Sequence, residues 1–313
     1  MKQFVAFSFV FAITGLGLWP SIATADEGES AIVRVILPER KPLVPVLVAK
    51  LGPGPARENS GIVKSRRHDD LFWMHNDSGD EPRIYPIHRD GQNYADTRYE
   101  EEQGILIGGA INVDWEDIAT TSSGELVVAD LGNNENDRRD VVLYILDEPA
   151  PTAGRTTFRR KIFVRYPDQF EFPAPQDGFN FDCEAIFTVG DKIYLLSKNR
   201  SNSLTTMYRV DEDQPEVVNV LTRLDTFDIR GQAVGADCSE DGLRLAVLTY
   251  TGIWLFDRSS QAREFFSGEI SWAPLARHSA EAICFADGET LLMADEATAE
   301  LFEIPLAKLT QIR

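Results

Sequence analysis

Along most of this chain, short apolar runs of strand length alternate with polar, turn-forming segments, and one pair of runs returns five times. The first run of each pair is headed by a carboxylate or a small residue: Glu58-Asn59-Ser60-Gly61-Ile62-Val63, Asp114-Trp115-Glu116-Asp117-Ile118-Ala119, Asp182-Cys183-Glu184-Ala185-Ile186-Phe187, a degenerate Gly235-Ala236-Asp237-Cys238, and Glu281-Ala282-Ile283-Cys284-Phe285. The second is more apolar: Leu71-Phe72-Trp73-Met74, Leu126-Val127-Val128-Ala129, Ile193-Tyr194-Leu195-Leu196, Leu245-Ala246-Val247-Leu248 and Leu291-Leu292-Met293-Ala294. No segment sustains a helical period with caps at both ends, which disfavours α/β folds. Strand-bearing repeats at this spacing mark a radial array. The pattern therefore predicts an all-β fold, a β-propeller of five blades, or of six if the N-terminal strands and an insertion form a blade of their own.

Third and fourth strands are expected at 83–88 and 104–107, 141–146 and 161–166, 206–210 and 217–221, and 253–256 and 263–266. The last unit has only 301–304 and lacks a strand. An N-terminal strand from 33–36 or 44–48 is expected to close the ring there, which removes an exposed edge. The organisation is then a signal peptide (1–25), an N-terminal segment contributing the closing strand (26–57) and the propeller (58–313). An irregular insertion, 167–181, carries Phe170, Phe172, Phe179 and Phe181. Such loops often lie over a binding face, although aromatics of this kind also serve to pin a loop down.

The first residues read as an export signal: Lys2, an apolar stretch over 4–18, and Ala23-Thr24-Ala25 as a small-x-small cleavage site. The apolar run is short and breaks at Trp19-Pro20, which makes a membrane anchor the weaker reading. A secreted or periplasmic protein is expected. The formal charge of −19 excludes a nucleic-acid polymer or an anionic membrane as partner and suits cation binding. Cys183, Cys238 and Cys284 are odd in number, fall on one face of their strands by parity, and read as buried small apolar residues. There is no CxxC, GxSxG, HExxH, P-loop or GxGxxG, so thiolate zinc, serine hydrolase, zinc protease and nucleotide-fold chemistries lack support.

In a propeller the first strand of every blade lines the central channel. Glu58, Glu116, Glu184 and Glu281 hold equivalent places there, and the fourth unit offers Gly235 with Asp237 two residues on. Such carboxylates cannot all stay ionised in a narrow channel without a counter-charge. A hard cation is the economical solution: Ca²⁺, with about six to eight oxygens, before Mg²⁺. The alternative is that they accept hydrogen bonds from neighbouring first-strand amides and tie the blades together. Parity predicts Glu116 on the axis, with Trp115 and Asp117 turned into the packing between blades and Asp114 on the axial face nearer the channel's end.

The connections after the second strands gather at one mouth. Candidate ligand-binding residues are His75, Asn76, Asp80, Asn133, Arg138 and Tyr250, and the ligand expected of a monomer is small and anionic or phosphorylated. If the protein hydrolyses a phosphoester with metal assistance, Lys198 and Arg200 stabilise developing charge and Asp77 or Glu296 orients water. Ordinary turn composition accounts equally well for Asp77 and Asn133, and a lone histidine such as His75 is more often structural. The rival from another class is a non-catalytic binding or scaffold propeller with structural carboxylates. A polysaccharide lyase or glycosidase would want an aromatic platform, hinted at only by Phe170, Phe172 and Tyr250.

Taken as an ordered set, ENSG, WMHNDSGD, DWEDIA, VVADLGNN, DCEAIF, YLLSKN, ADCSEDG and EAICF resemble a family of secreted bacterial β-propeller proteins, over residues 58–304. That family is described chiefly by its fold, so the resemblance implies architecture more than activity. The chain is more distantly similar to the calcium-activated nucleotidases, or apyrases, five-bladed propellers with a central Ca²⁺. This similarity implies metal-facing roles for Glu116, Glu184 and Glu281, a serine position at Ser60, and a basic pair in Lys198-Asn199-Arg200. Unit two departs from it, since Asp130-Leu131-Gly132-Asn133-Asn134 stands where those enzymes carry a glycine and lysine-bearing loop. What carries over is thus the metal site rather than the nucleotidase activity.

Overall fold

The repeated runs fold as antiparallel meanders, because turn-forming segments join consecutive strands. The computed structural model describes residues 32–55, 58–94, 104–215, 217–258, 264–276 and 278–313; the expected export signal lies outside them. Strand β1 (Val46–Lys50) belongs to the last blade. Blade one is β2 (Asn59–Lys64), β3 (Phe72–Asn76), β4 (Arg83–Ile87) and β5 (Ile105–Gly108). Blade two is β6 (Trp115–Thr120), β7 (Glu125–Asp130), β8 (Val142–Asp147) and, after the short β9 (Arg155–Thr157), β10 (Arg160–Arg165). Blade three comprises β11 (Ala185–Val189), β12 (Lys192–Leu196), β13 (Leu204–Arg209) and, beyond β14 (Val218–Val220), β15 (Thr222–Asp228). Blade four has β16 (Ala233–Cys238), β17 (Arg244–Thr249), β18 (Gly252–Asp257) and β19 (Glu269–Pro274). Blade five has β20 (Ala280–Phe285), β21 (Thr290–Asp295) and β22 (Glu300–Pro305), and β1 completes it. Strand β23 (Thr310–Gln311) ends the chain.

The result is a five-bladed β-propeller closed by an N-terminal strand, as the repeat pattern predicts. The first strands β2, β6, β11, β16 and β20 touch one another in a ring around the axis. Each interface between neighbouring blades holds its own apolar core. Trp73, Trp115 and Tyr144 fill the one between blades one and two. Phe227 meets Trp254 and Phe256 edge-on at 5.0–5.1 Å between blades three and four. Burying each such side chain contributes roughly 1.5–3 kcal/mol, so the blades adhere mainly through these cores. Cys183, Cys238 and Cys284 are free and buried in three different ones, the small apolar role expected of them.

The outer edge of each blade is paired by a segment from elsewhere. Strand β9 adds in parallel to β5, β14 in parallel to β10, β23 to β19 and β1 to β22, while Val33 bridges to Phe227 of β15. Unpaired edges invite association, and these short segments cover the outer strand of each blade. Two expected strands differ. The run 217–221 leaves blade three to edge blade two, and 222–228 takes its place. Residues 265–267 form a short 3-10 turn, because Phe265 and Phe266 are both buried in one core, which strand alternation would forbid. Among the described residues no helix is long and apolar enough to cross a membrane.

Candidate metal centre at one mouth of the channel

Four of the five inner strands carry a register shift that leaves one extra residue near their start: Ser60, Glu116, Val234 and Glu281. Glu184 stands at the matching place just before β11. A bulge leaves its residue unpaired and free to be re-aimed. The alignment this sets differs from the expected one in two blades. In blade one Ser60, not Glu58, holds the position, and its hydroxyl donates to the Glu116 carbonyl at 2.7 Å; Glu58 is exposed at the rim. In blade four the position belongs to Val234, which packs in an inter-blade core.

The bulge also overturns the parity argument for Asp117. Trp115 does pack between blades, but Asp117 turns to the axis, where its carboxylate accepts the N–H groups of Ile118 (2.8 Å), Ile186 (2.8 Å) and Ala236 (3.4 Å). Asp237 behaves alike farther along, accepting from Cys238 (2.9 Å) and Phe285 (2.8 Å). Burial pushes Asp237 up to about 7, against the amide of Phe285 and the charge of Arg66. Asp237 therefore stands apart from the other expected metal ligands, at the far end of the channel. These two aspartates, rather than the glutamates, tie neighbouring first strands together.

At the near mouth, ligand atoms of Asp77, Asp114 and Glu116 lie within 4.8 Å of one another, as do those of Glu116, Asp182 and Glu184. The two groups share Glu116 but differ in charge balance. Lys198 ion-pairs with Glu184, and Arg200 with Asp182 at 2.6 Å and Glu184 at 3.4 Å. Arg138 is engaged by Asp130 (2.9 Å) and the Gly132 carbonyl (2.7 Å). Among the described residues, Asp77, Asp114 and Glu116 make no ion pair. Burial first, and then Glu184, Asp182, Asp77 and Asp114, push Glu116 well above the carboxylate range. Burial and the charges of Asp77 and Asp182 raise Asp114 to about 6.

Two further observations fit an oxygen-liganded cation here. The Glu184 side chain is 6% exposed, yet its Oε2 is buried without a partner. Gly132 keeps the wall clear: a Cβ there would sit 2.2 Å from both the Asp114 Oδ2 and the Glu116 Oε1. All-oxygen donors of this kind suit Ca²⁺ or Mg²⁺ and not a soft metal.

The remaining expected residues divide between mouth and scaffold. Lys198 is buried; burial opposes its charge, but Glu184 and Tyr250 more than restore it. Its ammonium meets the Tyr250 hydroxyl at 3.1 Å, and that hydroxyl donates to Glu281 at 2.5 Å. Glu281 is thus turned to Tyr250 rather than joined to either acidic group. Glu296 lies half-buried at the mouth, raised to about 7 by burial and by Glu281, Asp77 and Glu58. Asn76 is buried and donates to the Gly54 carbonyl (2.9 Å) and to Asp80 (2.6 Å), which holds a loop. Asn133 fastens the 132–138 loop to the insertion through the Phe181 carbonyl (3.0 Å) and the Asp182 carboxylate (2.7 Å). His75 is fully buried against Trp115, its Nδ1–H donating to the Asn76 carbonyl at 3.0 Å, and so offers nothing to a ligand. Asp182 escapes the sequence reading, although the Asp-x-Glu spacing shared by Asp114-Trp115-Glu116 and Asp182-Cys183-Glu184 signals it.

No protein-family model matches the chain, and no curated protein matches it at a significant level. Among solved structures it is similar to the Kuenenia stuttgartiensis hydrazine synthase, at 11% identity and a TM-score of 0.44, over 80% of this chain and 72% of that one. It is also similar to the PQQ-bound aldose sugar dehydrogenase of Streptomyces coelicolor, at 11% identity and 0.44, over 82% of each. A chain of a mitotic checkpoint complex follows at 12% identity and 0.37, over 89% and 72%. The five-bladed assignment rests on the sheet topology itself.

Proposed function

We propose that this chain is an exported propeller that binds a divalent cation, Ca²⁺ in preference to Mg²⁺, at the near mouth of its channel, and that the cation recruits a small phosphorylated or otherwise anionic ligand. The observation that carries this reading is the group Asp77, Asp114 and Glu116, which makes no ion pair among the described residues, beside the partnerless Oε2 of Glu184. Lys198 and Arg200 are already neutralised by Glu184 and Asp182, so the recruiting charge must come from the ion. In the hydrolytic form of the proposal, the ion supplies a polarised phosphoryl oxygen and an acidified water. Glu296, titrating near 7, is the group suited to hold or take a proton there. Lys198 is then a positioning residue that orients Glu184.

A second reading, a scaffold without catalysis, is favoured by Asp117 and Asp237, whose carboxylates accept backbone N–H groups of their own and of neighbouring inner strands. Calorimetry with Ca²⁺ and Mg²⁺ on chelated protein, followed by phosphoester assays with and without the ion, separates the alternatives. Absence of both heat and a melting shift removes the cation. Binding without turnover leaves the scaffold.

A further inference from the structure

The opposite mouth holds a cavity of about 410 Å³, a size at which small ligands are bound, with walls from blades one, four and five. Lys64, one of its lining residues, lies four positions beyond Ser60 along β2, roughly 13 Å from the near mouth at the rise of a strand. The Asp117 carboxylate lies between, and Asp237 belongs to the cavity's own wall, so this cavity is distinct from the near mouth.

Its hydrogen-bonding groups are unevenly satisfied. Three of its carboxylates accept from within the protein, and the fourth, Glu240, is turned to solvent. Asp237 takes the N–H groups of Cys238 and Phe285. Asp241 takes the Ser239 hydroxyl (2.6 Å) and the Leu243 N–H (3.0 Å). Asp287 takes Arg89 (2.7 Å). Donors, in contrast, remain in excess. The Nε of Arg66 is buried without a partner, and among the described residues its ion pair is Nη1 with Glu240, at 3.5 Å, whose side chain is 86% exposed. Lys64 donates to the Ala286 carbonyl at 2.7 Å, which leaves two of its three N–H groups for another acceptor. Val63, Phe285 and Ala286 supply an apolar wall beside these cations.

A pocket with spare cationic donors, occupied acceptors and an apolar wall matches a ligand that brings acceptors and a short hydrocarbon body. We infer that the far mouth binds a small organic carboxylate, its carboxyl group held by Arg66 and Lys64 and its body against Phe285. Arg is suited to this because its planar fork meets a carboxylate with two parallel bonds. The inference stands apart from the cation site, since no residue is shared between them.

Calorimetric titration of the full chain with propionate, benzoate and succinate tests it, alongside amide shifts of Lys64 and Gly288. Saturable one-to-one binding of at least one probe is expected. Arg66→Met should weaken it at least tenfold, about 1.4 kcal/mol, with Lys64→Met as the second variant should the first fail to fold. No saturable binding of any of the three at millimolar concentration, or an affinity unchanged in the variants, overturns the assignment.

Discussion

The carboxylate of Asp117 in blade two accepts the backbone N–H of Ile186 in blade three at 2.8 Å, and the same side chain reaches Ala236 in blade four. One buried aspartate thus spans three inner strands. Its removal strands buried amides that water cannot reach, each at about 1–3 kcal/mol. Asp117→Ala should therefore lower stability by about 3–5 kcal/mol in chemical denaturation. A loss below about 1 kcal/mol would show that the clasp is dispensable.

Lys198 and Glu184 form an ion pair in which both side chains are almost entirely buried. Removing one partner leaves the other charge uncompensated, which costs about 3–5 kcal/mol, whereas removing both is far milder. Lys198→Met alone should be strongly destabilising, and Lys198→Met with Glu184→Leu should recover most of the loss. The coupling term of the double-mutant cycle is the measurement; strict additivity would contradict the pairing.

The pairing of short apolar runs was sufficient to read five blades, and the shortfall of a strand in the last unit pointed to the N-terminal closure made by β1. Site residues were legible only where strand parity held. At Glu116 the bulge inserts one residue, so Glu116 and Asp117 both turn inward although alternation places them on opposite faces. The same device moves the aligned position from Glu58 to Ser60. Alternation records which residues are apolar and carries no mark of an unpaired one, so neither shift was visible. Phe265 and Phe266 show the converse limit, since two adjacent aromatics suit a strand by propensity but a tight turn by burial.

Because β1 completes blade five, a chain lacking residues up to Lys50 leaves β22 as an unpaired edge. It also loses the Val33 bridge to blade three and the Leu43 bridge to Leu275. Melting should fall by roughly 10 °C or more, the equivalent of a few kcal/mol, and light scattering should report association. An unaltered, monomeric truncation would show that the strap contributes nothing to the ring.

Gly132 lines the candidate cation site with no side chain in the way of Asp114 and Glu116. Its backbone lies outside the left-handed region, so alanine meets no conformational penalty there. Gly132→Ala should instead displace the two carboxylates and weaken Ca²⁺ binding at least tenfold, about 1.4 kcal/mol. Melting in chelator should shift much less than the Ca²⁺-dependent increment. Equal Ca²⁺ affinity in the variant would move the ion away from this pair.

His75 offers a test of pH dependence. Burial lowers it to about 4, although its bond with the Asn76 carbonyl and the nearby Asp117 backbone work the other way. Because the folded value lies below the ordinary 6.5, the unfolded chain takes up this proton first as pH falls. The stability from the neutral imidazole is complete above about 6.5 and declines as pH drops toward 4, at no more than about 1.4 kcal/mol per pH unit. The Nε2 faces Gly61 so closely that a Cβ there would lie 2.3 Å away, which leaves no room for a water to solvate a charged ring. The ring carbon proton of His75, followed by NMR, should hold its neutral shift until pH approaches 4. A midpoint near 6.5 would mean that the ring is solvated and that the interface between blades one and two opens to water.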